Sequence, residues 1–473
     1  MKWIREKTPQ IVEKRRRFWR KTRKIAFWTL AISFILHSAL NIYASTLLNR
    51  ELSEIRQKGE PLQFAEMEPP AVPDSENAAL VYIQAFDALR LSREERYFLN
   101  PRKSHRTPQE QRIIEVALAK NRRALDLARR AAAMPRCVFP LNYKSYSPFE
   151  LLFPYYGEMR ELARLLNAQA QIEAKAGNRS EALRDARILF GMANHLSNEP
   201  VLIGFLVAQA IEGIANATLA EVLANTSISL TQAESFEKSL PRTDWNSAFQ
   251  RSLMGERAAG VTTFELVRQP NGMTIAEINS LSGGSEVEGN SIFAPSWNTA
   301  PLVMLWRPVF KLDEVHYLRL WKPQLAAAAS PQTSAFSQAN QSFEKAVSEI
   351  PAYAILTRIL MPVYSQTSKN RDRAEVRRRQ REIALRLSIY RTAEGYPAEK
   401  LEEVGGVNNN SALFDPYSQK PFVYRLDKDG KNFTLYSIGP NRTDDGGANS
   451  TIQSSNGGER VTGDDITWGI SRR

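Results

Sequence analysis

A single cysteine in 473 residues, Cys137, excludes an internal disulfide and any zinc site built on two or four cysteines. Four histidines (His37, His105, His195, His316) leave little material for a His-rich metal centre. No H-E-x-x-H, G-x-x-x-x-G-K-[ST], G-x-S-x-G or Rossmann glycine fingerprint occurs, so four common catalytic and nucleotide-binding designs have no support. From Ile25 to Leu48 there is no Asp, Glu, Lys or Arg. Apolar residues at 43% and charged residues at 24% are ordinary globular usage, which excludes a wholly disordered, collagen-like or polytopic membrane chain.

The charge is unevenly placed. The formal balance is +12, yet residues 1–24 hold eleven basic side chains against Glu6 and Glu13, a local +9 that leaves +3 for the rest. A protein that binds DNA along its body spreads basic charge over its folded part. The expectation is therefore no nucleic-acid partner.

After that arm, Ile25–Leu48 forms an apolar run of 24 residues. As a helix it measures about 36 Å, enough to cross a hydrocarbon core of roughly 30 Å. His37, Ser38 and Asn41 weaken the span, while Trp28 and Tyr43 suit its two interfaces. The positive-inside rule puts residues 1–24 in the cytoplasm and everything after Leu48 outside, as expected for a single-pass protein of the bacterial inner membrane with lipid as a partner. The competing reading is a cleaved signal peptide with an apolar core at Ile25–Leu36 and a small-residue site at Ala44-Ser45. The long run and the lack of a clean A-x-A favour an uncleaved anchor.

Residues 49–76 contain Pro69-Pro70 and Pro73, the composition of an extended spacer. Helical periodicity then starts at Asn77, with Asp74 or Ser75 as caps, and continues through 108–134, 148–177, 179–198 and 200–225. Gly177 marks a turn between two helices, similar to a single tetratricopeptide unit with no second copy at a 34-residue period. Val201–Ala224 is apolar enough to raise a second span, but Glu212 and Glu221 favour the buried helix of a bundle. Further helices are expected at 245–268, 302–321, 341–358 and 372–393, with loops near 269–298 and 326–340. The body is thus read as 77–370 and the end domain as 371–473.

Candidate chemistry is sparse. Gln209, Glu212 and Asn216 share a helix face that either lines a pocket or pairs with a neighbouring helix through Glu256 or Arg257. Glu212 and Glu256 are the only carboxylates offered as a catalytic pair, for an extracytoplasmic hydrolase. Asp313 and His316, one helical turn apart, have the spacing of two metal ligands without an identifiable third. The run Arg371–Glu382 alternates Arg with Asp372, Glu375 and Glu382, as expected of a solvated, self-paired helix face. Arg136 stands beside Cys137, but no histidine partner accompanies that thiol.

The last hundred residues change period. Phe422–Leu426 and Phe433–Ile438 are strand-like, joined by a turn containing Gly430. Asp415-Pro416-Tyr417 has turn chemistry, with Asp415 able to bond its own backbone. The ordered set Glu394-Gly395-Tyr396-Pro397, Asp415-Pro416-Tyr417, Pro421-Phe422-Val423-Tyr424, Tyr436-Ser437-Ile438-Gly439 and Gly463-Asp464-Asp465-Ile466 resembles the globular domain of type II secretion major pseudopilins over roughly residues 380–468. That resemblance implies a helix packed on an antiparallel sheet, secretion or envelope partners, and calcium in the last loop; the alternative is no cofactor, the Asp/Gly-rich loop using its side chains to cap its own turns. By position the resemblance implies the Ile438 carbonyl, Asn441, Asp464 and Asp465 as ligands, with other oxygens completing the shell. Ile25–Leu36 lacks the glycine cleavage site and the glutamate of a pilin helix, so the chain is not expected to be assembled as a pilin. The layout as a whole resembles bacterial single-span envelope proteins with helical bodies and pseudopilin-like ends.

The fold class expected is mainly α: an N-terminal transmembrane helix, an α-helical body of αα-hairpins, and a small C-terminal α+β domain. The expected role is a membrane-anchored scaffold or interaction protein outside the cytoplasm, with no catalytic motif; the hydrolase is the alternative.

Overall fold

The computed structural model describes residues 2–100, 106–144, 153, 155–225, 228–241, 243–269, 300–329, 342–361, 368–404, 413–427, 433–448 and 463–468. Among these, fourteen α-helices and one small antiparallel sheet make a mainly helical protein. The chain divides into two compact units that interleave in sequence: residues 1–62, 260–320 and 349–360 form the first, and 63–259, 321–348 and 361–473 the second.

In the first unit, α1 (Lys2–Gln57) is one unbroken helix of 56 residues, about 84 Å long. The chain therefore stays helical nine residues past Leu48, where an extended spacer was expected. Ile25, Phe27, Leu30, Phe34, Leu36 and Ile42 are all more than half exposed. From Ala44 onward one stripe goes under: Ala44, Leu48, Glu51 and Ile55 are buried at spacings of three and four. α11 (Ala300–Ala329) supplies partners for that face. Lys311 Nζ donates to Asn41 Oδ1 at 2.9 Å and to Ser45 Oγ at 2.7 Å. Arg319 Nε donates to Glu51 Oε1 at 2.8 Å. The last turns of α10 (Trp245–Val267) complete the unit from Gly260 on. A Cβ at Gly260 would overlap the Tyr317 ring, so glycine there lets α10 approach α11 closely. Arg268, just after α10, pairs with the fully buried Glu314.

The second unit holds the helical body. The residues linking α1 to it, read as extended, contain 3₁₀ turns at Phe64–Met67 and Asp74–Glu76. α2 (Ala78–Ala88) is capped by Asn77, whose side chain accepts from the Ala79 N–H; this corrects the expected caps at Asp74 or Ser75. α3 (Arg93–Phe98) precedes the stretch read as one helix over 108–134, which breaks into α4 (Pro108–Lys120) and α5 (Arg122–Ala132). The break is at Asn121, fully buried, whose side chain bonds Arg90 N, Arg90 O and Ala117 O. An amide offering both donors and acceptors to a neighbouring backbone competes with the helix for its own ladder.

α6 (Tyr155–Lys175), α7 (Arg179–Leu196) and α8 (Leu202–Asn225) pack on one another as the core. The α6–α7 turn forms as expected: Gly177 sits at φ +81°, and Asn178 N–H returns to Glu173 O at 2.8 Å. Asp185 is buried on α7 and takes a two-pronged guanidinium contact from Arg129 of α5, at 2.8 and 2.9 Å. α9 (Leu230–Ser239) follows α8. α11 continues through Ala329, so 326–329 are helical rather than loop. The expected helix over 341–358 is two: α12 (342–348) and α13 (Ile355–Leu360), divided near Pro351. The expected loops 270–298 and 330–340 lie outside the described residues.

α14 (Ser368–Glu394) leads into the end module. Strands β1 (Val423–Leu426), β2 (Phe433–Ser437) and β3 (Ile466–Thr467) pair antiparallel in the order β1-β2-β3, with Val423 opposite Tyr436 and Ser437 opposite Ile466. Val376, Ile383 and Leu387 of α14 pack on Phe422, Leu435 and Ile466 to form a separate small core. Asp415 fastens the turn expected of it. It accepts from Tyr417 N–H at 3.0 Å, from Ser437 Oγ at 2.7 Å and from Ile438 N–H at 3.2 Å, tying the end of β2 to the Asp-Pro turn. The expected Gly430 turn lies outside the described residues.

Candidate functional site

α8 and α14 run in the same direction, and polar residues line their contact. Arg373, Arg377 and Arg381 recur every four residues and so share one face of α14. Arg381 Nη1 donates to Glu212 Oε1 at 3.2 Å, its guanidinium carbon lies 4.6 Å from the Phe190 ring centre, and Trp245 Nε1 donates to the same Glu212 oxygen at 3.3 Å. Ten residues further along, Arg391 donates to the Leu223 carbonyl at 2.8 Å, satisfying one of the acceptors left open near the end of α8. The expectation of a solvated basic face is thus half right. Arg378 and Arg379 pair outward with Glu375, as i,i+3 and i,i+4 spacing allows, while the 373–377–381 row turns inward.

Where that row meets the loop before β3, a cavity of about 210 Å³ opens. Gly213 and Asn216 of α8, Arg373, Arg377 and Gln380 of α14, and Asp464, Asp465 and Trp468 line it. A Cβ at Gly213 would come within 3.3 Å of Arg377 Nη1, so glycine makes room for the guanidinium. Among the described residues Arg377 forms no hydrogen bond or ion pair. Burial lowers its pKa from the ordinary value, with the Glu212 charge opposing the shift. Asn216 is buried and its Nδ2 has no partner. Two acceptors, one from the loop before β3 and one from α14, are left open as well: Asp465 Oδ1 and Gln380 Oε1 are likewise buried and unpartnered. Burial raises the Asp465 pKa against the hydrogen bond from Gly447 N–H, 2.7 Å long. The residues lining the cavity thus include a guanidinium and an amide N–H without acceptors, and two oxygens without donors.

Of the residues singled out by the calcium resemblance, Asp464 and Asp465 line this cavity, and Ile438 and Asn441 are not among its lining. Asp464 Oδ1 faces Arg373 Nη2 at 3.4 Å, and Asp465 Oδ2 holds the Gly447 N–H. Asn441 Oδ1 accepts from Thr443 N–H at 3.0 Å, while its Nδ2 donates to Asp445 Oδ2 at 2.8 Å. Ile438 donates its N–H to Asp415. A cation here would compete with Arg373 for Asp464 and with Gly447 for Asp465. Among the described residues no cluster of three His, Cys, Asp or Glu side chains has metal-site geometry.

The proposed catalytic pair does not converge. Glu256 Oε1 accepts from the Leu202 N–H at 2.8 Å and so caps the start of α8, whereas Glu212 is ten residues further along that helix, about 15 Å at 1.5 Å per residue. The capping contact depends on Gly255, since a Cβ there would overlap the Pro200 carbonyl. The Asp313–His316 turn is likewise structural. Asp313 accepts from Leu356 N–H, Thr357 N–H and Thr357 Oγ, the last at 2.6 Å, and caps α13. Burial pushes its pKa up to about 6 against those hydrogen bonds. Cys137 is buried, and burial raises its thiol pKa well above the ordinary value.

One ionisable cluster was not anticipated. Glu199, 6% exposed, accepts from Tyr155 Oη at 3.2 Å, and a Cβ at Gly204 would strike both Glu199 and the Tyr156 hydroxyl. Burial pushes its pKa up to about 7, with the Tyr155 hydrogen bond opposing. Nearby, His195 Nε2 meets the Met134 carbonyl at 2.9 Å and its Nδ1 meets Tyr82 Oη at 3.1 Å. Those partners assign the neutral tautomer: Nε2–H donates to the carbonyl and Nδ1 accepts from the tyrosine. The doublet Tyr155-Tyr156 was the available sequence signal, but nothing in it names Glu199 as partner. These groups knit α2, α6, α7 and the 133–144 segment.

Architecture alone defines the class: a mainly helical protein with a long, apolar N-terminal helix and a small helix-on-sheet module at its end. No family model, curated protein or solved structure matches the chain.

Proposed function

We propose that the chain is a single-pass protein of a bacterial cytoplasmic membrane that holds its folded mass outside the cytoplasm as an interaction scaffold. The observation that carries this reading is the exposed apolar surface of α1 from Ile25 to Tyr43, directly after a basic arm. Exposed apolar side chains around a whole helix need an apolar environment, and the eleven basic residues before them favour the cytoplasmic side. The helix α14 on its three-stranded sheet supports the pseudopilin-like reading of the end module, and with it contact with envelope or secretion proteins. On this reading the cavity at Arg377 receives a carboxylate from such a partner.

Fractionation and proteolysis test the proposal. The intact protein should stay with membranes in alkaline carbonate. External protease acting on spheroplasts should digest the second unit and leave a fragment containing residues 1–24. Recovery in the soluble cytosolic fraction, or a protected second unit, overturns it. For the cavity, Arg377→Gln should abolish crosslinking to an acidic partner peptide displayed in the envelope while leaving membrane retention intact. Removing residues 380–473 is unsuitable as a test, because it strips Arg381 from the buried Glu212.

A further inference from the structure

α1 and α11 advance in step. Lys311 meets Asn41 and Ser45, and Arg319 meets Glu51. Eight residues separate the two cations on α11, and eight separate the midpoint of Asn41 and Ser45 from Glu51 on α1. The helices are therefore parallel and in register along this stretch. Continued toward the start of α11, the same register sets Met304 and Leu305, six to seven residues before Lys311, level with Leu36 of α1, about 10 Å nearer the basic arm than Lys311. Met304 is 60% exposed and Leu305 59%, matching the exposure of Leu36 at 64%. Arg307, exposed, follows one turn later, with a stem long enough to carry its charge outward along an apolar surface.

We propose that the first turns of α11, bearing Met304 and Leu305, enter the bilayer beside α1, with Arg307 held at the phosphates of the leaflet on the folded side and Lys311 held by Asn41 and Ser45 at the edge of the core. This rests on α1 being lodged in lipid and adds a second element to it. A hydrocarbon core of roughly 30 Å takes about twenty helical residues, which from Ile25 reaches Ala44. Leu36 then falls well inside that core, while Lys311, level with residue 43, falls at its edge. The register also explains the polar residues of the apolar run: Asn41 and Ser45 are where a lysine crosses from the partner helix. In an apolar setting, hydrogen bonds between neighbouring helices hold such groups in place.

The test uses the full chain with Cys137→Ala, reconstituted in phosphatidylcholine–phosphatidylglycerol vesicles. An environment-sensitive fluorophore is placed singly at Ile32→Cys, Met304→Cys and Val116→Cys; Val116 is an exposed residue of the second unit. Doxyl-labelled lipid should quench the Ile32 and Met304 probes to a comparable extent and spare Val116, while aqueous iodide should do the reverse. Quenching by doxyl lipid at Ile32 alone overturns the proposal and leaves the anchor standing. Quenching at neither position overturns both. A Met304 probe reached by neither quencher marks burial against a second copy and also overturns the proposal.

Discussion

Among the described residues two helices are long and apolar enough to cross a membrane, and the structure treats them oppositely. α1 reaches a mean hydropathy of 1.7 over its best window and buries none of it; α8 reaches 1.5 and buries 67%. The difference lies in where the polar residues fall. On α8, Glu212 and Asn216 both meet Arg381 of α14, and Phe205, Ile211, Ala215 and Leu219 are fully buried around them. On α1, the hydrogen bonds to α11 found among the described residues begin at Asn41, and most side chains of the preceding four turns are exposed. Hydropathy measures the need for apolar surroundings, and the polar residues show what supplies them.

The largest way to break the comparison is to place the same charge in both helices. Leu219→Arg on α8 buries an unpaired guanidinium where no water reaches, a loss of several kcal/mol that should abolish cooperative unfolding of the second unit in detergent. Phe34→Arg on α1 should leave that unfolding transition unchanged and weaken membrane retention, by about 3 kcal/mol of insertion free energy. Equal unfolding defects in both variants would erase the distinction.

Arg381→Ala is next. It leaves Glu212 buried without its guanidinium and should cost about 3–5 kcal/mol in denaturant unfolding, whereas the double variant Glu212→Gln with Arg381→Met should recover much of that. A smaller effect of similar kind comes from Glu199. Its pKa is about 7 in the folded protein and about 4.3 in an unfolded chain, so the native state binds more protons between those values. Stability is then fully present below pH ~4.5 and falls as pH rises toward 7, by on the order of 3 kcal/mol. Glu199→Gln should remove that slope, which denaturant titrations at several pH values will show. The smallest change expected is Ser45→Ala on α1, about 1 kcal/mol from one lost Lys311 hydrogen bond, read as a lower midpoint for the first unit only.

How much was legible beforehand divides along the same line. The apolar run at 25–48, the hairpin turn at Gly177, the antiparallel pairing of β1 with β2 and the Asp415 turn all rest on local patterns, and each formed. The break at Asn121 did not show, because an asparagine inside a helical pattern ends the helix only when a neighbouring backbone, here Arg90, takes up its amide. Asp313 and Glu256 looked like candidate chemistry because their partners, the starts of α13 and α8, are 43 and 54 residues away in sequence. The arginine row on α14 carried its four-residue spacing openly. What hid its role was the acids between, which satisfy Arg378 and Arg379 and made the whole run look self-contained. Glu199 was missed for want of any local signature.

The account turns most directly on what surrounds α1. Single cysteines placed from Arg20 to Arg50 in the vesicle-reconstituted Cys137→Ala chain can be probed with a membrane-impermeant maleimide. A continuous block of protection from Ile25 to about Tyr43, covering every face of the helix and lost when the protein is transferred to organic-free denaturant, is the predicted result. Protection repeating every three to four residues, or uniform labelling, would mean that protein or water surrounds this helix, and would contradict the account.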